Sequence, residues 1–202
     1  MKRFDADLSD DQLKEKIIDA ADKRLRLFGY KKTAMAEIAQ DLGMSTANLY
    51  RYFPSKLEIA EAFALRCFAE KEQQLAALID SPKRRADENL KRFAVGLLQY
   101  NFTQLNEYPK INEIVMALCE QSPDLVDRKK AGELSILKAI LEQGCQQKCW
   151  QIDDIEQIGL AIMTSLVTFS TPTFMQHQTL EQLTVRLGMV LQLLLSGLYI
   201  RE

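Results

Sequence analysis

Between Thr46 and Tyr52 the chain carries side chains that can exchange hydrogen bonds with a partner while offering little aliphatic surface. They are Thr46, Ala47, Asn48, Tyr50, Arg51 and Tyr52. Arginine, asparagine and threonine pair with base edges in the major groove of DNA, and tyrosine bonds to phosphate. The chemistry predicted for this segment is therefore recognition of DNA, without bond making or breaking.

Two short helices joined by a glycine turn are needed to present that surface. A first helix is predicted by apolar residues at spacings of three and four, namely Met35, Ile38, Ala39 and Leu42. Gly43 accepts the left-handed backbone that a sharp reversal after a helix requires. Ser45 is placed to cap the second helix, and Leu49 and Phe53 turn its apolar side back onto the first. This arrangement is a helix-turn-helix. We call its two helices and the residues that flank them, residues 33–56, the reader.

The segment and its surroundings resemble the N-terminal domain of the TetR/AcrR family of one-component bacterial transcriptional regulators. The matching residues cover about a quarter of the chain: Ile17, Ala20, Ala21, Phe28-Gly29-Tyr30, Thr33, Ile38-Ala39, Gly43-Met44-Ser45, Leu49-Tyr50, Tyr52-Phe53 and Ser55-Lys56. Such an ordered set is more specific than a bare helix-turn-helix pattern. Family members commonly have Ser or Thr where this chain has Ala34, so we expect Thr33 to cap the first reader helix instead.

The predicted DNA-binding set combines the outward face of the second helix with its flanks. It comprises Thr33, Ser45, Thr46, Ala47, Asn48, Tyr50, Arg51, Tyr52 and Lys56. Arg51, Asn48 and Thr46 are expected to face bases. Tyr50, by resemblance to the family, and Lys56, by its place at the start of the next helix, are expected to contact phosphate.

The distribution of charge agrees with this prediction. The whole chain has a formal net charge of −2, but residues 23–56 hold seven Lys or Arg and only two acids. A local basic surface on an otherwise acidic protein favours phosphate binding there and limits adhesion elsewhere. On charge alone, an ordinary solvated face would be the simpler interpretation.

Helical periodicity continues to the end of the chain and predicts an all-α fold of about nine helices. Capping boxes are expected at Ser9 with Gln12, Ser55 with Glu58, Asp153 with Glu156, and Thr179 with Gln182, and Leu8 is expected to pack on Leu13 as a staple. Helix 7 is predicted to end near Trp150 and helix 8 before Pro172. The inner stripe of helix 1 is predicted to be Leu13, Ile17, Ala21, Leu25 and Phe28. We expect a DNA-binding domain at residues 1–56 and an effector-binding and dimerisation domain at residues 57–202.

Helices 8 and 9 are apolar around most of their circumference. Helix 8 includes IGLAIMTSLVTF from Ile158, and helix 9 includes LGMVLQLLLSGL from Leu187. A surface helix of a monomer needs one apolar stripe, so a second buried side is indicated. Both helices could instead be central in one subunit. The resemblance implies a homodimer through these two helices, formed as a four-helix bundle, which would read an inverted-repeat operator in double-stranded DNA.

A ligand pocket within helices 4 to 8 is a further implication of the resemblance. Its candidate lining mixes aromatic and sulfur side chains: Phe93, Leu97, Tyr100, Met116, Cys119, Phe169 and Phe174. Side chains of these types more often belong to an ordinary core than to a pocket. Since no cluster of buried charges is evident in the sequence, we expect a small hydrophobic or uncharged effector.

Other functional classes have weak support. An enzyme is not expected, because there is one histidine, no glycine-rich phosphate loop and no nucleophile motif. No cofactor or metal site is expected; Cys145 and Cys149 lie one helical turn apart but lack further ligands nearby, and packed thiols are favoured over a redox pair. A start rich in acids argues against a secretory signal, no membrane span is expected, and a cytoplasmic location follows.

Two alternatives share the same reader. A DNA-bound structural or cell-division factor without a ligand switch would look identical in this segment, and an activator would differ from a repressor only in where it binds. The predicted function is a homodimeric, effector-responsive transcriptional regulator acting as a repressor.

Overall fold

The computed structural model describes residues 9–79, 84–108 and 110–199, with the side chain of Ile111 left out. Within these residues the chain forms eleven helices: α1 Asp10–Lys32, α2 Met35–Asp41, α3 Thr46–Tyr52, α4 Lys56–Ile79, α5 Ala86–Glu107, α6 Ile111–Gln121, α7 Pro123–Gln146, α8 Ile155–Ser165, α9 Val167–Ser170, α10 Pro172–Met175 and α11 Leu180–Leu198. The predicted all-α class is confirmed. The two additional helices, α9 and α10, have four residues each.

Local capping explains where several helices begin. At α1 the Gln12 N–H donates to Ser9 Oγ (3.3 Å) and the Ser9 N–H donates to the Gln12 side chain (3.0 Å), which confirms the predicted capping box. The partner Leu8 of the predicted staple lies outside the described residues. Thr179 and Gln182 form the corresponding box at α11.

Two other caps differ in detail from the prediction. Ser55 Oγ accepts from the Glu58 N–H (3.1 Å) at the start of α4, while the Glu58 carboxylate bonds to the Ser55 hydroxyl (3.4 Å). The cap of α8 is Asp154 rather than Asp153, because Asp154 accepts from the Gln157 N–H (2.9 Å). The helix therefore begins one residue later than the sequence pattern indicates.

The first of two compact units contains residues 9–67, 107–108 and 110–127. Its core is formed by buried residues of α1 to α4, including Leu13, Ile17, Ala21, Leu25, Ile38, Leu49, Ile59 and Phe63. Phe28 was predicted to join this core, but it is 49% exposed. The helical path of α1 is interrupted at Gly29 (φ +81°) before the inner stripe completes another turn. Because α6 belongs to this unit by its contacts, the compact units do not follow the predicted division at residue 56, which remains a prediction about function.

The second unit contains residues 68–106 and 128–199, among those described. Its core draws on α4, α5 and α7 to α11 and includes Leu75, Leu90, Phe93, Leu97, Leu137, Leu141, Trp150, Ile162, Phe169, Leu183 and Leu187. The predicted single helix 8 is wrong, since α8 ends at Ser165. There the Ser165 hydroxyl donates back to the Ala161 and Ile162 carbonyls, which competes with the regular helical pattern.

The end of α7 also differs from the prediction. It lies at Gln146, four residues before Trp150, and the chain then turns through Lys148, whose φ is +57°. No helix in the described ranges is long and apolar enough to cross a bilayer.

Candidate DNA-binding surface

The helix-turn-helix predicted from the sequence is present as α2, a glycine turn and α3. Gly43 has a φ of +66°, the left-handed conformation that the turn requires. The Asn48 N–H donates to Ser45 Oγ (3.1 Å), so Ser45 caps α3 as predicted. Leu49 is fully buried and Phe53 is 7% exposed. The apolar side of α3 is therefore buried in the first unit and the opposite side faces outward.

The outward side of α3 carries the residues selected from the sequence. Ala47, Tyr50 and Arg51 are exposed, and Thr46, Asn48 and Tyr52 are half-buried. The Tyr52 hydroxyl donates to the Asp10 carboxylate (3.3 Å), which connects the end of α3 to the start of α1. The freely accessible face is centred on Tyr50 and Arg51.

Lys56 lies at the start of α4 and is half-buried. Its ammonium donates to the Tyr30 carbonyl (2.6 Å) and lies 4.3 Å from the centre of the Tyr30 ring. Burial lowers the pKa of Lys56. An ammonium group has three donors, so this bond still leaves capacity for a phosphate contact. Lys56 thus joins α4 to the end of α1 in addition to any role with DNA.

Thr33 does not have its predicted capping role. It is 2% exposed, and its hydroxyl donates to the Gly29 carbonyl (2.8 Å). The N-cap of α2 is Ala34, which has no side-chain acceptor. Instead, the Glu37 carboxylate accepts from the Ala34 N–H (3.0 Å). Because the Thr33 hydroxyl is buried and already bonded, we leave it out of the proposed contacts with phosphate.

Arg24 holds α2 against α1. Its Nη2 donates to Asp41 Oδ1 (2.8 Å), its Nε bonds to the second carboxylate oxygen, and its Nη1 lies 3.4 Å from Glu37 Oε2. The hydrogen bond from Arg24 outweighs partial burial and lowers the pKa of Asp41. Arg24, one of the seven basic residues counted in residues 23–56, is therefore engaged in ion pairs within the protein.

An unexpected participant in this unit is α6 with the segment before it. The Arg26 guanidinium stacks on the Tyr108 ring at 3.5 Å from its centre. Glu113 accepts from the Lys31 N–H (3.3 Å), and a Cβ at Gly29 would lie only 2.4 Å from Glu113 Oε2. Gly29 signalled a break in α1, but nothing in the sequence pointed to Glu113, which is 82 residues beyond Lys31.

The seven predicted effector residues are divided between the two compact units. Phe93, Leu97 and Phe169 belong to the core of the second unit. Tyr100 is half-buried in the same unit, while Phe174 is 54% exposed. The remaining two, Met116 (52% exposed) and Cys119 (exposed), lie on α6 in the first unit.

The expectation that the interior lacks charged groups is wrong. Lys71 on α4 and Glu133 on α7 are 2% and 1% exposed and form an ion pair in the second unit. The two residues are 62 positions apart, so no local pattern marks them as partners. The argument for an uncharged effector therefore loses its basis.

The described elements are all helices, and α2, the turn at Gly43 and the capped helix α3 form a helix-turn-helix. This motif defines a class of DNA-binding proteins. Residues 17–63 match the family described as bacterial regulatory proteins, tetR family. Residues 86–191 match the family described as tetracyclin repressor-like, C-terminal domain. The chain therefore belongs to the TetR family of DNA-binding transcriptional regulators, whose members are dimeric and are not enzymes.

Individual relatives are distant. The uncharacterized HTH-type transcriptional regulator YhgD of Bacillus subtilis (strain 168) is 21% identical over 172 residues, covering 85% of this chain and 90% of YhgD. The human mitochondrial ubiquinone biosynthesis protein COQ9 is 28% identical over 114 residues, covering 54% of this chain but only 36% of COQ9.

Among solved structures, Thermus thermophilus FadR, a TetR family transcriptional repressor in complex with lauroyl-CoA, is similar with a TM-score of 0.65 and 18% identity. The match covers 94% of this chain and 96% of FadR. At this level of identity the likeness concerns the fold.

Proposed function

We propose that the protein is a homodimeric repressor that binds an inverted-repeat operator and is released from it by a small-molecule effector. The observation that carries the proposal is the outward face of α3, where Tyr50 and Arg51 are exposed while Leu49 on the opposite side is fully buried. A repressor of this kind acts where the chromosome lies, in the cytoplasm. Arg51, Asn48 and Thr46 would contact bases, and Tyr50 and Lys56 would contact phosphates.

The exposed faces of α8 and α11 support dimerisation through these two helices. On α11, Val185, Met189 and Leu193 recur every four residues and are 60%, 56% and 75% exposed. Leu160 on α8 is 51% exposed, and a Cβ placed at Gly188 would meet no atom within 4 Å beyond the adjacent residues and the backbone of its own helix. An apolar stripe with a glycine gap suits close approach by a second copy of the same helices.

Two copies of the reader are needed for tight and specific binding. One short recognition helix contacts few bases, whereas a twofold dimer doubles both base and phosphate contacts. The two recognition helices must then match the helical repeat of DNA, about 34 to 36 Å or a multiple of it.

Release by an effector requires that the ligand bind the DNA-competent and DNA-incompetent states with different affinity. The ligand in the FadR complex supports the idea that this fold can hold a small molecule. The helix that carries Lys56, α4, also contributes Phe68, Lys71 and Leu75 to the second unit, so it contains residues of both functions. We propose that α4 transmits the effect of effector binding to the DNA-binding residues.

The decisive experiment starts from the DNA upstream of the gene. An inverted repeat found there should bind purified protein at least a hundredfold more tightly than random DNA of equal length at the same salt concentration. Deleting the gene should raise transcription from the adjacent promoter. Lower transcription would indicate an activator, and binding sites scattered over the chromosome without a local operator would indicate a structural DNA-bound factor.

Reciprocity tests the switch. An effector that weakens operator binding by some factor must itself bind more weakly, by the same factor, when operator is saturating. Equal effector affinity with and without operator, measured by calorimetry, would contradict the proposed release.

A further inference from the structure

Lys71 and Glu133 form a charged pair in the interior of the second unit. Lysine and glutamate are almost never this deeply buried unless they are paired, and the Lys71 ammonium donates to Glu133 Oε1. Replacing a buried ion pair with apolar residues of similar size is often neutral or stabilising. Stabilisation of the fold therefore does not explain why this pair is buried, and this favours a role in binding.

The charged cluster around Glu133 contains two lysines for one carboxylate. Lys129, one turn before Glu133 on α7, also lies 3.0 Å from Glu133 Oε1, so two ammonium groups share one carboxylate. The neighbouring Arg128 and Glu72 pair with each other (2.9 Å). Burial alone would raise the pKa of Glu133, but the charges of Lys71 and Lys129 outweigh it and lower that pKa. The same burial lowers the pKa of Lys71, and the Glu133 carboxylate opposes this effect. The cluster therefore places two lysines around one carboxylate.

Apolar and aromatic groups lie beside this charge. The Lys71 ammonium is 5.7 Å from the centre of the Phe68 ring and 5.8 Å from that of Tyr100. Tyr100 shares one face of α5 with Phe93 and Leu97, at spacings of three and four, and both of these are fully buried. A surface groove of about 640 Å³ is lined by residues of α4 and α7, including Glu72 and Gly132. Lys71 and Glu133 are the chain neighbours of these two residues, but they are buried and do not themselves line the groove.

We propose that Lys71 is the anchor of the effector site and that the effector is an organic monoanion with an apolar body. Its carboxylate would replace Glu133 on Lys71, and its apolar part would pack against the Tyr100 face of α5. Glu133 keeps Lys129 as its partner during this exchange, so no buried charge is left unpaired. A cationic ligand would instead compete with two ammonium groups for one carboxylate.

This inference rests on the proposed release by an effector, but its test does not need DNA. Decanoate, decanol and decylammonium share one chain and differ in head-group charge. Calorimetry with the full-length protein should show decanoate binding at least tenfold more tightly than decanol, with decylammonium weakest. The fluorescence of Trp150, the single tryptophan of the chain and a member of the second unit's core, gives an independent readout.

Equal affinity for the three probes, preference for the cation, or no binding of decanoate would overturn the anion site. The proposed function fails separately, if the wild-type protein binds no operator DNA while still preferring decanoate.

Variants distinguish a binding role from a structural one. Glu133→Gln removes the competing carboxylate at nearly constant shape, and it should raise decanoate affinity severalfold. A purely structural pair predicts unchanged or lower affinity, and that result would overturn the proposal.

Lys71→Met should abolish the preference for decanoate over decanol, but it leaves Glu133 with one partner and can unfold the protein. The double variant Lys71→Met/Glu133→Leu removes both charges, is expected to fold, and should bind decanoate and decanol alike. Lys138→Gln, a control further along α7 whose side chain pairs with Glu156 and does not line the groove, should keep the wild-type preference. A double variant that still prefers decanoate tenfold would contradict the role of Lys71.

Discussion

Arg51 and Lys56 are both basic residues of the reader, but their surroundings give them different roles. Arg51 lies on the exposed face of α3, where the side chain can reach a base edge. Lys56 lies at the start of α4 and already donates to the Tyr30 carbonyl. Sequence specificity is therefore expected to depend on Arg51, and general affinity on Lys56.

Arg51→Ala should relax sequence preference. If Arg51 pairs with guanine, its loss costs about 1 to 3 kcal/mol at one base position and little on random DNA. Fluorescence anisotropy on the operator, on single-base variants and on random DNA measures this. Arg92→Ala, an exposed arginine of α5 in the second unit, should bind like the wild type. Equal losses on operator and random DNA would identify Arg51 as a phosphate contact instead.

Lys56→Met should weaken binding to operator and random DNA by the same factor. Each lost phosphate contact lowers the slope of log K against log salt concentration by about one, so the change is about one for each subunit bound. Binding isotherms between about 50 and 200 mM salt measure the slope, because each phosphate contact changes the affinity by about half a decade over that range. An unchanged slope with lower thermal stability would restrict Lys56 to its structural bond with Tyr30.

At the scale of elements, the reader is held by α1, which contacts α2 through Arg24 and α6 through the region of Gly29. Both links are polar and sit at the edges of the first unit's apolar core. They orient α2 and α3 without adding to the exposed face. Their loss is expected to change the stability of the unit and, through orientation, its affinity for DNA.

The Arg24–Asp41 link predicts a pH dependence. Because Arg24 lowers the pKa of folded Asp41, the stabilisation is complete above the unfolded value of about 3.9 and is lost as pH falls through the folded value. Wild type should be more stable than Asp41→Asn at pH 6, and the two should converge toward pH 3. Urea unfolding followed by circular dichroism measures this, and a constant difference across that range would contradict it.

Gly29→Ala should destabilise the first unit. At Gly29 the backbone has φ +81° and ψ 170°, a region nearly restricted to glycine, and the new Cβ would collide with the Glu113 carboxylate. Strain of this kind costs about 1 to 3 kcal/mol. The double variant Gly29→Ala/Glu113→Ala relieves the collision but keeps the backbone strain, and Glu113→Ala alone measures the loss of the bond to the Lys31 N–H. Measured against that single variant, urea unfolding should show partial recovery. Full recovery would mean that backbone strain contributes nothing.

For the whole molecule, the proposed dimer depends on the exposed apolar stripe of α11. Leu193→Glu places a charge in the proposed interface, and the resulting unpaired buried charge should split the dimer. Since Leu193 is 75% exposed in the subunit, the fold itself should persist. Light scattering at micromolar concentration should report a folded monomer with reduced operator affinity.

Two substitutions serve as controls for the dimer. Leu27→Glu, at a residue 73% exposed in the first unit, should leave the dimer intact. Leu187→Glu, at a residue 1% exposed, should unfold the subunit. A wild-type protein that is monomeric at micromolar concentration would refute this interface.

The sequence alone was sufficient for the all-α class, the two helices of the helix-turn-helix and the caps at Ser9, Ser45 and Thr179. Those features depend on neighbours within about four residues, such as Ser45 with Asn48 or Ser9 with Gln12, and such contacts leave a readable pattern. Even here, the predicted cap by Thr33 is wrong, because its hydroxyl donates to the Gly29 carbonyl at the end of α1 and does not accept from an N–H of α2. The pattern identifies a bonding group without selecting among its partners.

Only the tertiary structure decided which groups distant in sequence meet. It paired Lys71 with Glu133 and placed Glu113 beside Gly29, contacts that depend on how helices pack rather than on local spacing. It also separated Leu193, which is exposed, from Leu194, which packs against the core, although α11 is apolar on both sides. Hydrophobic burial is non-directional, so an apolar sequence determines that a helix is buried, while packing determines which face remains open.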